Sequence, residues 1–223
     1  MFDWLLTGGK CIFIILNEMF KLICLALLLI LASCTNNRYV IETKIQDYWP
    51  DIKNGITTQE TAKYDSLFFN ALISNTIGKK IPEIKVTDRE GKLHSIRKVL
   101  SEKAIIIASN AYCGFGNEGL VNVFPKAVQQ LNPGWSNMKI VCLLIRTDND
   151  RENRQILDNL YIEVEPLYRN IYFIDEVEAL KLNLYANPTR LYLDKNQIVR
   201  NIGLGISTVE NMVKEIESNF DGK

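Results

Sequence analysis

Ala104-Ile105-Ile106-Ile107-Ala108-Ser109-Asn110-Ala111-Tyr112-Cys113-Gly114-Phe115-Gly116-Asn117-Glu118 decides how this chain is read. Ala104–Ala108 is a short apolar run rich in β-branched residues, the pattern of a strand covered on both faces. Asn110 to Gly116 reads as a turn. From Glu118 to about Leu131, Leu120, Val121, Phe124, Val128 and Leu131 fall on one side of a helix. Pro125 is expected to kink that helix, and Asn132-Pro133-Gly134 to stop it. Strand, turn and helix thus place one cysteine, Cys113, just ahead of a helix. Unpaired N–H groups and the helix dipole favour an anion there, and the anion of a thiol is its reactive form.

On the C-terminal side, Lys139–Ile145 reads as a second buried strand and Asp150 to Leu160 as a helix. Ile171–Ile174 is ambiguous, and Ala179–Leu184 reads as a short helix. Thr189–Leu193 and Ile198–Ile202 form a hairpin around Asp194-Lys195-Asn196, before a last helix, Val209–Phe220, capped by Ser207 or Thr208. On the N-terminal side, Ile81–Val86 alternates like an edge strand with Pro82 at its start, Asp88–Lys92 turns, and Leu93–Ile96 returns. Before that hairpin, Thr57 and Glu60 have the spacing of a helix-capping pair, followed by Tyr64, Leu67, Phe68, Ala71 and Leu72 at helical intervals and by Gly78 as a stop. The order is hairpin, β-α-β-α, hairpin, α. It predicts an α/β domain whose central mixed sheet is flanked by helices.

The whole chain has 223 residues, with 26 Lys plus Arg against 26 Asp plus Glu, so no bulk field draws it to nucleic acid. Leu22–Ala32 is an uncharged apolar run, shorter than the about 20 residues that span a bilayer. Lys21 precedes it and small residues follow, the layout of a secretory signal. It ends in Leu31-Ala32-Ser33-Cys34, which resembles the bacterial lipobox, and that resemblance implies a lipid on Cys34. The alternative is a plain uncleaved anchor. Glu18 is out of place in a signal, whereas Met19-Phe20-Lys21 makes a compact basic start, so Met19 is read as the initiator. The expected divisions are a signal over 1–33, a lipid-anchored tether and helix over 34–75, and the α/β domain over 76–223. Of five cysteines, Cys11, Cys24 and Cys34 lie in the apolar N-terminal region, leaving Cys113 and Cys142 for the domain. These make no disulfide framework.

Four features in order resemble the thioredoxin superfamily, and among its members the exported, membrane-tethered TlpA-like thiol-disulfide oxidoreductases. Gly78–Ile84 resembles their Gly-x-x-x-Pro lead into the first strand, and Asp88–Leu93 their Asp-x-x-Gly-Lys hairpin. Cys113 falls where the first cysteine of Cys-x-x-Cys belongs, with Tyr112 in place of the usual Trp. Asn187-Pro188-Thr189 falls where the family places a cis-proline facing the active site. The resemblance covers residues 76 to 218 and implies a thioredoxin-like fold, a periplasm-facing place in the bacterial envelope, and protein thiols or extended peptide segments as partners. It implies Cys113 as the catalytic residue, and Tyr112, Gly114, Phe115, Gly116, Asn187, Pro188 and Thr189 as the substrate-binding surface. The alternative for Pro188 is a trans proline opening a strand.

The departure is at Gly116, where the family has its second cysteine. Without that thiol, Cys113 can attack a disulfide but cannot release the product internally. Three readings stay open: monothiol exchange at Cys113, a non-catalytic binding module with a relic thiol, and a thiol peroxidase. Against the last, Ile106 and Asn110 occupy the places where peroxiredoxins carry Pro and Ser or Thr. Cys142 is expected as a core residue, His94 as a solvated surface residue and Arg190 as a solvent-facing strand charge. With one histidine and no cysteine pair, neither a metal nor a cofactor is expected.

Overall fold

A computed structural model describes residues 19, 21, 23, 38–49, 57–100, 102–131, 138–147 and 151–220, without the side chains of 115 and 151–153. The chain divides into two units, Met1–Arg38 and Tyr39–Lys223. In the first, Met19, Lys21 and Ile23 are helical. The apolar run apart from Ile23, the signal cleavage region, Cys34 and the Asn132-Pro133-Gly134 stop lie outside the described residues. No helix among the described residues is long and apolar enough to cross a membrane.

The second unit is built on seven strands: β1 (Lys85–Thr87), β2 (Leu93–Ser95), β3 (Ala104–Asn110), β4 (Lys139–Arg146), β5 (Ile171–Asp175), β6 (Thr189–Leu193) and β7 (Val199–Leu204). They lie in the order β2-β1-β5-β4-β3-β6-β7. β3 pairs parallel with β4 and β4 parallel with β5, while β6, β7, β1 and β2 add antiparallel at the two sides. The ambiguous Ile171–Ile174 run is therefore a strand: Cys142↔Ile171 through Arg146↔Asp175 pair it along β4.

The helices are α1 (Thr58–Thr76), α2 (Ile96–Val99), α3 (Gly114–Glu118), α4 (Phe124–Gln130), α5 (Arg151–Val164), α6 (Glu176–Leu180) and α7 (Val209–Phe220). Alternation along the strands sorts them into two layers. Ile106, Ala108, Val141 and Leu143 face Phe68, Leu72, Ile96 and Ala179, from α1, α2 and α6. Ile105, Ile107, Cys142 and Leu144 face Leu120, Phe124, Leu160, Met212 and Ile216, in the turn ahead of α4 and in α4, α5 and α7. A mixed sheet so ordered and so covered is the thioredoxin-like fold that the sequence predicts.

Local signals explain the helix ends. Thr57 and Glu60 form the reciprocal capping box, and Gly78 takes φ +77 after α1. Thr208 Oγ1 accepts from Asn211 N–H at 3.2 Å to cap α7. Between α3 and α4 the backbone widens into a π-turn, Gly119–Val123, closed by Phe124 N–H on the Gly119 carbonyl. Pro125 follows at once. It has no N–H to give the carbonyl four residues back, and the wider turn accommodates that loss. The buried Tyr168 hydroxyl donates to the Leu120 carbonyl of this turn at 2.7 Å.

Two residues expected in solvent are partly or wholly withdrawn from it. His94 is half-buried, with Nε2 2.6 Å from Asp88 Oδ2 and its ring edge-on to Tyr172. Its partner is a carboxylate six residues away, across the β1–β2 turn. Arg190 is 2% exposed. Its Nε and Nη2 donate to the Glu215 carboxylate of α7 at 3.0 and 3.1 Å, and Nη1 donates to the Gly205 carbonyl at 2.6 Å. The Tyr192 hydroxyl donates to the same carboxylate at 2.6 Å, and burial pushes that phenol's pKa well above its ordinary value. The arginine can enter the α7 layer because all its visible acceptors come to it. The stretch expected as a tether is also partly bound. Over Tyr39–Trp49, Val40 N–H donates to the Lys80 carbonyl at 3.0 Å and Thr43 N–H to Asn183 Oδ1 at 2.9 Å.

Removing the guanidinium strands a carboxylate between helix and sheet. Arg190→Ala is expected to lower stability by about 3–5 kcal/mol, read in urea unfolding. Arg190→Lys is expected to recover only part, because an ammonium cannot span both carboxylate oxygens and the Gly205 carbonyl.

Candidate functional site around Cys113

β3 ends at Asn110, and the chain turns through Ala111, Tyr112 and Cys113 into α3. Asn110 makes the turn. Its side-chain Oδ1 accepts the Cys113 N–H at 3.0 Å, while its own N–H donates to Asn187 Oδ1 at 2.9 Å. One asparagine therefore ties the cysteine turn to the segment before Pro188, whose peptide bond with Asn187 is cis. Asn117 N–H donates to the Cys113 carbonyl at 2.9 Å, and its Nδ2 donates to the Ala111 carbonyl at 3.0 Å.

The sequence-predicted surface gathers on these elements. Cys113 is a free, half-buried thiol. Tyr112 is 44% exposed beside it, Gly114 opens α3 in solvent, and the backbone of Phe115 lies in α3. Thr189 is buried, with its hydroxyl donating to the Ala186 carbonyl at 2.5 Å. The π-turn after α3 approaches the Pro188 loop so closely that Gly119 must be glycine: a Cβ there would stand 2.7 Å from Pro188 Cγ.

Gly116 is buried. A Cβ at this position would lie 2.1 Å from Ser109 Oγ and 3.1 Å from Asn187 Cβ. Ser109 is fully buried on β3, and its hydroxyl donates to the Asn110 carbonyl at 3.2 Å. The space beside Cys113 that a second cysteine's side chain needs is therefore filled by a serine hydroxyl. Cys142 offers no substitute. Its β4 position pairs with Ile107, whereas Asn110 pairs with Ile145, so it lies three residues down the sheet from the turn. That is roughly 10 Å at strand rise, against a Cα separation of about 4.4–6.8 Å in disulfides. Burial also pushes the Cys142 thiol's pKa far up.

Two clefts flank the turn. One, ≈ 660 Å³, is lined by Tyr112, Arg146, Arg154, Asp158 and Phe173 among others. The other, ≈ 340 Å³, reaches Asn110 and Asn187. Thr147 lines both, and its Oγ1 is buried with no hydrogen-bond partner among the described residues, as is Asn117 Oδ1. No cluster of three or more His, Cys, Asp or Glu able to hold a metal occurs among the described residues. Sequence reading passed over Ser109, Asn110 as turn builder, and Thr147. Only the strand-to-turn position of Asn110 carried a signal.

No protein-family model matches the chain, and no curated protein matches it. Solved structures do resemble it. The thioredoxin domain of a thiol-disulfide oxidoreductase from Bacteroides vulgatus aligns at TM-score 0.49 and 12% identity, over 64% of this chain and 96% of that one. A putative thiol:disulfide interchange protein DsbE from Chlorobium tepidum aligns at TM-score 0.46 and 15% identity, over 64% and 96%. StoA from Bacillus subtilis aligns at TM-score 0.46 and 17% identity, over 61% and 97%.

The crowding at Gly116 is directly testable. Gly116→Cys alone is expected to destabilise the protein and to form no disulfide with Cys113. Gly116→Cys combined with Ser109→Ala opens the space, and is expected to give a reducible bridge between Cys113 and the introduced thiol, seen as a two-dalton mass loss on oxidation. A bridge forming equally well with Ser109 in place would refute the account.

Proposed function

We propose that this is a lipid-anchored, periplasm-facing protein of the bacterial envelope whose Cys113 exchanges disulfides with partner proteins as a single thiol. The observation that carries the reading is the placement of Cys113 at the start of α3, beside the cis Asn187–Pro188 segment, with the neighbouring space closed by Ser109. The Cys113 thiolate attacks one sulfur of a partner disulfide. One new S–S bond forms, the partner's S–S bond breaks, and the partner's second sulfur leaves as a thiolate. No electrons are gained or lost overall. Gly116 carries no thiol to reverse the adduct, so release requires an external thiol. Of the residues expected to bind the partner, Tyr112, Gly114 and Asn187 are exposed or half-buried and form the surface over which its extended segment lies, with the backbone of Phe115 beside them; Gly116, Pro188 and Thr189 are buried and support that surface from beneath.

A non-catalytic binding module is the second reading, favoured by the same closure at Gly116. The two separate on trapping. After a brief oxidising pulse, cells carrying the protein are expected to yield reductant-sensitive adducts that vanish in Cys113→Ser. Partner proteins that co-purify equally with Cys113→Ser and without any covalent adduct would replace exchange by adaptor binding. Peroxide consumption that depends on Cys113 would instead support the thiol peroxidase.

Anchoring is a separate claim, resting on Lys21, the apolar run and Leu31-Ala32-Ser33-Cys34. Mass spectrometry of the mature chain is expected to find Cys34 as its acylated N-terminus. A peptide spanning Ser33 and Cys34 in the mature protein would sink it.

A further inference from the structure

The bound stretch Tyr39–Trp49 builds part of the smaller cleft. Ile41 N–H donates to the Asn75 carbonyl at 3.3 Å, Thr43 is fixed by Asn183, and the Tyr185 hydroxyl donates to the Thr43 carbonyl. Held this way, Glu42, Lys44, Ile45 and Gln46 line the ≈ 340 Å³ cleft together with Leu180 and Leu184. The same cleft reaches Asn110 and Asn187, the two residues that support the Cys113 turn through their side-chain oxygens. The N-terminal strap, lying before the domain that the sequence delimits, thus comes to the side of the thiol on which Asn187 and Pro188 lie.

The chemistry of the cleft narrows its occupant. Its volume is at the low end of the roughly 300–1,000 Å³ range of ligand sites, enough for a side chain with a short length of backbone. Ile45, Leu180 and Leu184 offer apolar surface, while Glu42, Lys44 and Glu176 balance to a single negative charge and so attract no strong anion. Thr147 Oγ1, buried and unpaired among the described residues, leaves a hydrogen bond to be made. A polypeptide joined to Cys113 through its own cysteine supplies all of this at once: a covalent tie at the turn, an apolar side chain beside it, and a backbone polar group.

We propose that this cleft is a subsite for an apolar residue adjacent to the cysteine of a partner polypeptide, with Ile45 and Leu180 setting the preference. It rests on the exchange reading of Cys113. The strap is then a part of the recognition surface as well as a connector.

The test uses the full-length protein in detergent. Its probes are peptides whose cysteine is joined by a disulfide to 5-thio-2-nitrobenzoate, with Leu or Asp beside that cysteine. Attack by Cys113 forms the peptide–Cys113 disulfide and expels the coloured thiolate. Only the rate lost in Cys113→Ser is counted. The Leu peptide is expected to react roughly tenfold faster than the Asp peptide, the scale of discrimination a small apolar pocket provides. Ile45→Ala and Leu180→Ala, on separate walls, are each expected to erode that preference while the rate with the symmetric reagent, bis-nitrobenzoate disulfide, stays unchanged. Equal rates for the two peptides, or a preference that survives both substitutions, would overturn the subsite and leave exchange standing. No Cys113-dependent rate with any probe, the symmetric reagent included, would overturn exchange and the subsite together.

Discussion

β3 has no face left for solvent, and the architecture follows from that. Every residue from Ala104 to Ala108 is fully buried, with Ile105 and Ile107 turned into one layer and Ile106 and Ala108 into the other. Such a strand must be paired on both edges and covered on both sides. β4 and β6 take the edges, α1, α2 and α6 one side, and the α3–α4 unit, α5 and α7 the other. A strand held this firmly gives the turn that follows it a fixed platform. Cys113 owes its position to that platform, through Asn110 at the last rung.

The same packing sets limits on chemistry. The π-turn after α3 lies so close to the Pro188 loop that glycine is required at 119, and Ser109 on β3 takes the room at 116 in α3. A side chain at 116 is thus excluded by more than the residue that stands there; it would meet Ser109 on the neighbouring strand. Arg190 shows the related limit on the far side of β6. Its guanidinium crosses Gly203, where a Cβ would lie 2.6 Å from Nη2 and 2.0 Å from Glu215 Oε1. Gly205, whose carbonyl Arg190 holds, donates its own N–H to the Pro188 carbonyl at 2.9 Å. The buried ion pair and the cysteine-facing loop meet at one residue.

Much of this was legible in the chain. Uninterrupted apolar runs marked β3 and β4, turn residues marked the hairpins, and Thr57, Glu60 and Gly78 bounded α1. What failed did so for want of long-range information. Nothing local to Ile171–Ile174 chooses strand over helix; β4 chooses it by offering an edge. Arg190 reads as a solvent charge until Glu215, 25 residues on, is placed above it. His94 reads likewise, although Asp88 was within the same hairpin. The start of the 34–75 stretch reads as a tether, although 39–49 is bound, because its partners Lys80, Asn75 and Asn183 are distant in sequence. At the site, the cysteine, the glycine at 116 and the proline were visible. Ser109 against position 116 was not, since a serine in a strand carries no mark of which residue it will meet.

The strap also governs how the domain bears load. A pull on the chain ahead of Tyr39 does not reach the sheet directly. It falls first on Val40 at Lys80, then on Ile41 at Asn75 and Thr43 at Asn183, hydrogen bonds that anchor the strap to three separate parts of the fold. These contacts make a mechanical fuse. Releasing them would take Glu42, Lys44, Ile45 and Gln46 out of the cleft wall while leaving intact the pairing of β3 with β4 and β6, to which the strap does not contribute.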